Sequence, residues 1–115
     1  MLINSEVQTI IDQSLHKQSL EAVIQLVNEL LKQHQIVPTE LQWTILINHL
    51  NEMVNRSVAG ETIPEVDPAM FSEISAMALQ IADAVVNHIG SLSKDEVYVL
   101  SIHFEAAKQN VEYID

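Results

Sequence analysis

Residues that break regular backbone are few in this chain, and their positions fix the kind of fold open to it. Two glycines and three prolines occur in 115 residues. They fall at Pro38, between Gly60 and Pro68, and at Gly90, which leaves four long uninterrupted stretches. Each stretch carries apolar side chains at the three- and four-residue spacing that lines one face of a helix. None alternates with the two-residue period of a half-buried strand for long enough to form one.

The starts and stops of these stretches are also written in the sequence. Ser5, with Gln8 three residues on, predicts an N-terminal capping box, followed by Val7, Ile10, Ile11 and Leu15. From Ser19 the apolar stripe takes a new phase through Leu20, Val23, Ile24, Val27, Leu30 and Leu31. This leaves open whether residues 5–35 form one bent helix or two. Thr39 and Gln42 form a second capping box after Pro38, predicting a helix to about Val58 that Gly60 ends. Asp67-Pro68 predicts another start, a carboxylate N-cap followed by proline at the first helical position. Ile74, Met77, Ala78, Ile81 and Val85 then share a side. Ser93 with Glu96 predicts a last capping box and a helix through about Asn110. The expected fold is all-α, four or five amphipathic helices packed as a bundle in one domain over residues 1–115.

Composition narrows the function. Sixteen acidic residues against five basic ones give a net charge of −11, a surface that repels phosphate backbones and argues against direct nucleic-acid binding. The same charge favours a partner with a basic docking face. There is no cysteine, hence no thiol or disulfide chemistry. No apolar run approaches the roughly 18 residues needed to span a bilayer, and the first residues lack a signal-peptide core. A cytoplasmic protein with no membrane association is expected.

The most informative residues are polar ones that interrupt apolar faces. Seven residues advance a helix by almost two turns, so positions seven apart share a face to within about 20°. In the last helix Glu96, His103 and Asn110 form such a stripe, flanked by Val99, Leu100, Ala106 and Ala107. They are set apart from a polar outer face assigned to Lys94, Ser101, Glu105, Lys108 and Gln109. A carboxylate and an imidazole on an apolar surface are costly to bury unpaired and need partners from another helix, subunit or ligand. Against this, Glu96 is already accounted for as a capping-box residue, and His103 reads equally as a satisfied core histidine. In the third helix His49 and Arg56 are likewise seven apart, with His49 at the border of the face made by Trp43, Leu46, Ile47, Leu50, Met53 and Val54. Arg56 is the only arginine. It reads either as a surface charge paired with Glu52 or as an anion holder beside His49, since a guanidinium suits phosphate. His16, His34 and His88 fall near helix ends, where solvated imidazoles are common. No HExxH, phosphate-binding glycine loop or G-x-S-x-G occurs, no cofactor is called for, and no ligand spacing asks for a metal.

Two stretches resemble a known family. Leu46-Ile47-Asn48-His49-Leu50-Asn51-Glu52-Met53-Val54-Asn55-Arg56 is similar to the first signature of the PTS regulatory domain (PRD), a helix carrying a regulatory histidine with an arginine seven residues later. Ile63, Pro64 and Asp67-Pro68 resemble the loop and Asn-Pro start that follow it. Lys94-Asp95-Glu96-Val97-Tyr98-Val99-Leu100-Ser101-Ile102-His103-Phe104 is similar to the second signature, Asp-Glu and apolar residues before the second histidine. The resemblance covers roughly residues 20–112.

The resemblance implies a four- to five-helix bundle of PRD type that forms symmetric dimers with its histidines near the interface. Its members occur in bacterial antiterminators and activators of sugar operons and are not enzymes. The phosphocarrier HPr, or a sugar-specific enzyme II component, phosphorylates their histidines. Carried over to this chain, the acceptors are His49 and His103, with Arg56, Glu96 and Asn48 in supporting or phosphate-contact positions. Three features depart from the family pattern. Asn48 stands where an aspartate often precedes the first histidine, a single domain replaces the usual tandem pair, and no RNA- or DNA-binding domain is attached. The last two put transcriptional output in doubt: the chain either acts on a separate effector protein or is a piece of a longer one. Two other readings remain open: a helical interaction or dimerisation module without phosphotransfer, and a metal-dependent enzyme built on His49, His103 and Glu96.

Overall fold

The computed structural model describes residues 4–110. Its described elements are five α-helices: α1 (Ser5–Gln13), α2 (Lys17–Gln33), α3 (Glu40–Ala59), α4 (Ala76–Ile89) and α5 (Asp95–Lys108). A short 3-10 turn, Pro68–Phe71, lies in the connection between α3 and α4. The expected all-α bundle is what the chain forms.

The first stretch is two helices. Their stripes point in different directions, and the chain breaks between Gln13 and Lys17 so that both can reach the core. Val7 and Ile11 are buried from α1, and Leu20, Val23, Ile24, Val27 and Leu31 from α2. Leu15, expected on the apolar stripe, sits in the break and is 84% exposed. The Thr39–Gln42 capping box forms in both directions, and Gly60 ends α3 in the left-handed region at φ 72°, where a residue with a Cβ would be strained. Trp43, Leu46, Ile47, Leu50, Met53 and Val54 of α3 are all buried, as the periodicity required.

Three expected caps are corrected. Helix α1 is capped by Asn4, whose side chain accepts from the Val7 amide at 2.8 Å, and not by Ser5. Asp67-Pro68 opens only the 3-10 turn. Helix α4 starts eight residues later, at Ala76, where the Ser75 hydroxyl accepts from the Ala78 amide. Ser93 does not box with Glu96. The residue before α5 is Lys94, without a side-chain cap, and Glu96 is fully buried. Ser101, assigned to the polar outer face of α5, is also fully buried, and its hydroxyl donates to the Tyr98 carbonyl at 2.6 Å. A short hydroxyl that bonds its own helix backbone loses its polar signature, which is why spacing misplaced it.

Helices α4 and α5 pack most extensively on each other, α1 lies against α3, and α2 bridges α3 and α4. The single core runs through all five helices. This arrangement sets α3 beside α5 in opposite directions, because the start of α3 meets the end of α5 and the end of α3 meets the start of α5.

Candidate functional site

The polar stripes of α3 and α5 face one another as a ladder of three rungs. At one end Asn110 donates to Gln42 Oε1 at 2.7 Å and to the Val37 carbonyl at 2.8 Å. In the middle the rings of His49 and His103 lie 4.9 Å apart, centroid to centroid, tilted by 34°. At the other end Arg56 donates from Nε and Nη2 to the two oxygens of Glu96, at 2.8 and 2.7 Å. Successive rungs are seven residues apart on each helix, about 10 Å along the axis. Because the helices are antiparallel, the heptad stripe of one meets the heptad stripe of the other rung by rung.

The Arg56–Glu96 rung is the most constrained. The Glu96 side chain is fully buried and that of Arg56 is 19% exposed. The guanidinium fork matches both carboxylate oxygens, a geometry that a lysine could not supply. The carboxylate in turn holds the Arg56 proton more firmly than in free arginine. The alternative that paired Arg56 with Glu52 is not what forms: Glu52 is exposed, and Arg56 reaches across to α5.

The histidine rung is half-buried, and burial disfavours the protonated form of both rings. Burial lowers the His49 pKa to about 4. The neighbouring His103 ring and Arg56 charge add to this, and Glu96 opposes it. Burial lowers His103 as well. His49 Nε2 is closed off from solvent and has no hydrogen-bond partner. A neutral imidazole keeps a lone pair on one ring nitrogen, which makes each ring a potential nucleophile or proton acceptor.

All five residues singled out in the sequence fall on or beside the ladder. His49 meets His103 and Arg56 meets Glu96, and Asn48 is exposed on α3 next to His49. Gln42 was not recognised as a rung. Its spacing of seven from His49 carried the signal, but its capping-box role accounted for it first, and its amide serves both. His16 and His34 flank α2, and His88 is exposed in the last turn of α4. Among the described residues no group of three or more His, Asp or Glu side chains is arranged to hold a metal ion. Among the same residues no helix is long and apolar enough to cross a membrane.

A helical bundle with facing histidines on an antiparallel helix pair, anchored by an arginine–glutamate clamp, defines the class. The PRD domain family model matches residues 21–107, and the chain belongs to that family. The fold is similar to the crystal structure of a PRD-containing transcription regulator from Lactobacillus casei ATCC 334. That likeness has a TM-score of 0.91 and 46% identity, over 96% of this chain and 99% of that one. No curated protein sequence matches the chain.

Proposed function

We propose that this protein is a phosphorylation-responsive regulatory module of the bacterial phosphotransferase system, a cytoplasmic, non-enzymatic, dimeric sensor whose state is set by phosphate on His49 and His103. The observation that carries the reading is the histidine pair itself: two half-buried imidazoles whose centroids lie 4.9 Å apart on facing helices. HPr or an enzyme II component is the donor. The phosphoryl group moves as the ring nitrogen's lone pair attacks phosphorus and the donor's P–N bond breaks. The proton released from the acceptor's other ring nitrogen goes to the donor imidazole.

A phosphohistidine places close to two negative charges where the chain now has none. Arg56 is held by Glu96 one heptad away, so it supports phosphate through its long-range charge and its spare Nη1 donors, and Glu96 fixes its position. Asn48 offers an uncharged amide beside His49. Dimerisation is supported by exposed apolar side chains close to the pair in sequence. Leu41 and Ile45 precede His49 on α3 at 67% and 50% exposure, and Ile102 adjoins His103 at 47%. A twofold contact through this face sets phosphate against phosphate or against the partner's acids, so charge biases the interface.

The test is transfer of label from phosphoenolpyruvate through enzyme I and HPr to wild type, His49→Ala and His103→Ala, with acid lability identifying phosphohistidine. Acid-labile label on the wild type that is lost in one variant, or only when both histidines are replaced together, supports the sensor. No label, with enzyme II components also supplied, leaves the alternative, a PRD bundle serving protein contact alone. The exposed Leu41, Ile45 and Ile102 would serve that role equally.

A further inference from the structure

The two histidines do not sit as independent acceptors. Their ring centroids lie 4.9 Å apart, and one of their nitrogens is closed off: His49 Nε2 has neither solvent contact nor a hydrogen-bond partner. An atom closed off in this way has no room for a phosphoryl group, so that nitrogen cannot receive one until the side chains around it move. His103 has no such blocked nitrogen.

We propose that His49 and His103 work as one phosphate site with divided roles. His103 takes the phosphoryl group, and unmodified His49 takes up a proton and becomes its hydrogen-bond donor, which disfavours a second phosphate on the same chain. This deepens, and rests on, the reading of the chain as a histidine-phosphorylated sensor.

The argument runs through charge. In the unmodified pair, the charged side chains bearing on His49 are Arg56 and Glu96, which are paired with each other. Glu52, three residues along α3, is exposed. A second neutral imidazole gives His49 no reason to bind a proton. A phosphoryl dianion on His103 supplies one, at about a ring's width and in a half-buried setting where charge is poorly screened. Protonated His49 then has no free lone pair with which to attack a second donor, and a second dianion would face the first. The two sites are therefore coupled with negative sign, and the coupling acts equally in both directions.

The test uses inorganic phosphoramidate, which modifies imidazoles without any protein donor. The ring lone pair attacks phosphorus, the P–N bond breaks, and ammonia leaves with the ring proton. The full chain carries His16→Gln, His34→Gln and His88→Gln to remove the remaining imidazoles, and intact mass spectrometry counts phosphates per chain. His103 is expected to be modified before His49. Doubly modified chains are expected to be at least about tenfold rarer than the product of the two single-site occupancies. His103→Ala is expected to unmask His49 and speed its modification. By NMR, the His49 titration midpoint, about 4 in the unmodified chain, is expected to rise once His103 carries phosphate. Double modification equal to that product, first modification at His49, an unmoved His49 midpoint or no modification of either ring would each overturn the proposal. Modification by phosphoramidate with the expected coupling, but none through HPr or enzyme II components, would support the proposal. That outcome would remove only the donor assigned above.

Discussion

Helix α5 has two neighbours, and it meets them in different ways. Against α4 the backbones come close, and the side chains that α4 buries, Ala78, Ile81, Ala82, Val85 and Val86, are all apolar. Against α3 few backbone atoms approach, and the gap is spanned by long polar side chains, Gln42 to Asn110, His49 to His103 and Arg56 to Glu96. The first contact follows from burial of apolar area and close packing. The second removes a carboxylate, a guanidinium and two imidazoles from water, a cost that apolar residues of similar volume would avoid. The contrast teaches that α3–α5 is not arranged for stability alone, and it locates where a change of charge has most effect.

The largest effect should come from breaking the clamp on one side. Arg56→Ala leaves the Glu96 carboxylate buried without its partner, and urea unfolding is expected to show a loss of about 3–5 kcal/mol. Replacing both partners, Arg56→Met with Glu96→Leu, should return the midpoint close to wild type. If the double variant is as damaged as the single one, the clamp is a net stabiliser and the contrast between the two interfaces fails.

In the apolar core around α4, Ala82→Leu forces a larger side chain into a position with no exposure, and a loss of about 1–3 kcal/mol is expected from the same unfolding measurement. A tolerated leucine would mean that the apolar packing around α4 is looser than the full burial of Ala82 implies.

The histidine rung should make stability depend on pH with a definite sign. His49 titrates near 4 in the folded chain and near 6.5 when exposed. Between these values the unfolded chain binds a proton that the folded chain refuses. The contribution is therefore whole above about pH 6.5 and is lost as the pH falls towards 4. Burial lowers His103 as well, so it acts in the same direction. The loss assigned to His49 is expected to be about 1–2 kcal/mol, reduced from full linkage because solvent reaches part of the ring. His49→Gln should flatten the midpoint-against-pH curve in this window, and an unchanged slope would place the titrating groups elsewhere.

Much of this was legible in the sequence because helices translate spacing into faces. The breaks at Pro38, Gly60 and Gly90, the buried face of α3 and the stripe of Glu96, His103 and Asn110 all follow from period and punctuation alone. What spacing could not supply was the partner of each residue. Glu96 satisfied a capping-box pattern with Ser93, and nothing local said that a residue forty positions away would claim it. Asp67-Pro68 is a sound helix start, yet the chain used it for a single 3-10 turn and capped α4 with Ser75, whose hydroxyl also donates to Glu105 at 2.7 Å. In each case the local rule was met, and a tertiary contact of greater worth decided the outcome.

The smallest expected effect tests whether the ladder is one unit or three separate pairs. The Gln42–Asn110 rung is the outermost, Asn110 is exposed, and its hydrogen bonds compete with water. Asn110→Ala should therefore cost only about 0.5–1.5 kcal/mol, with Gln42 keeping its cap on the Thr39 amide. Measured together with Arg56→Ala, about 20 Å away along the helices, the two losses should add to within about 0.5 kcal/mol if the rungs are independent. A larger interaction term would mean that the histidine rung between them transmits strain from one end of the α3–α5 seam to the other. Phosphate placed at the middle would then be felt at both ends, which is what a switch built on this pair of helices requires.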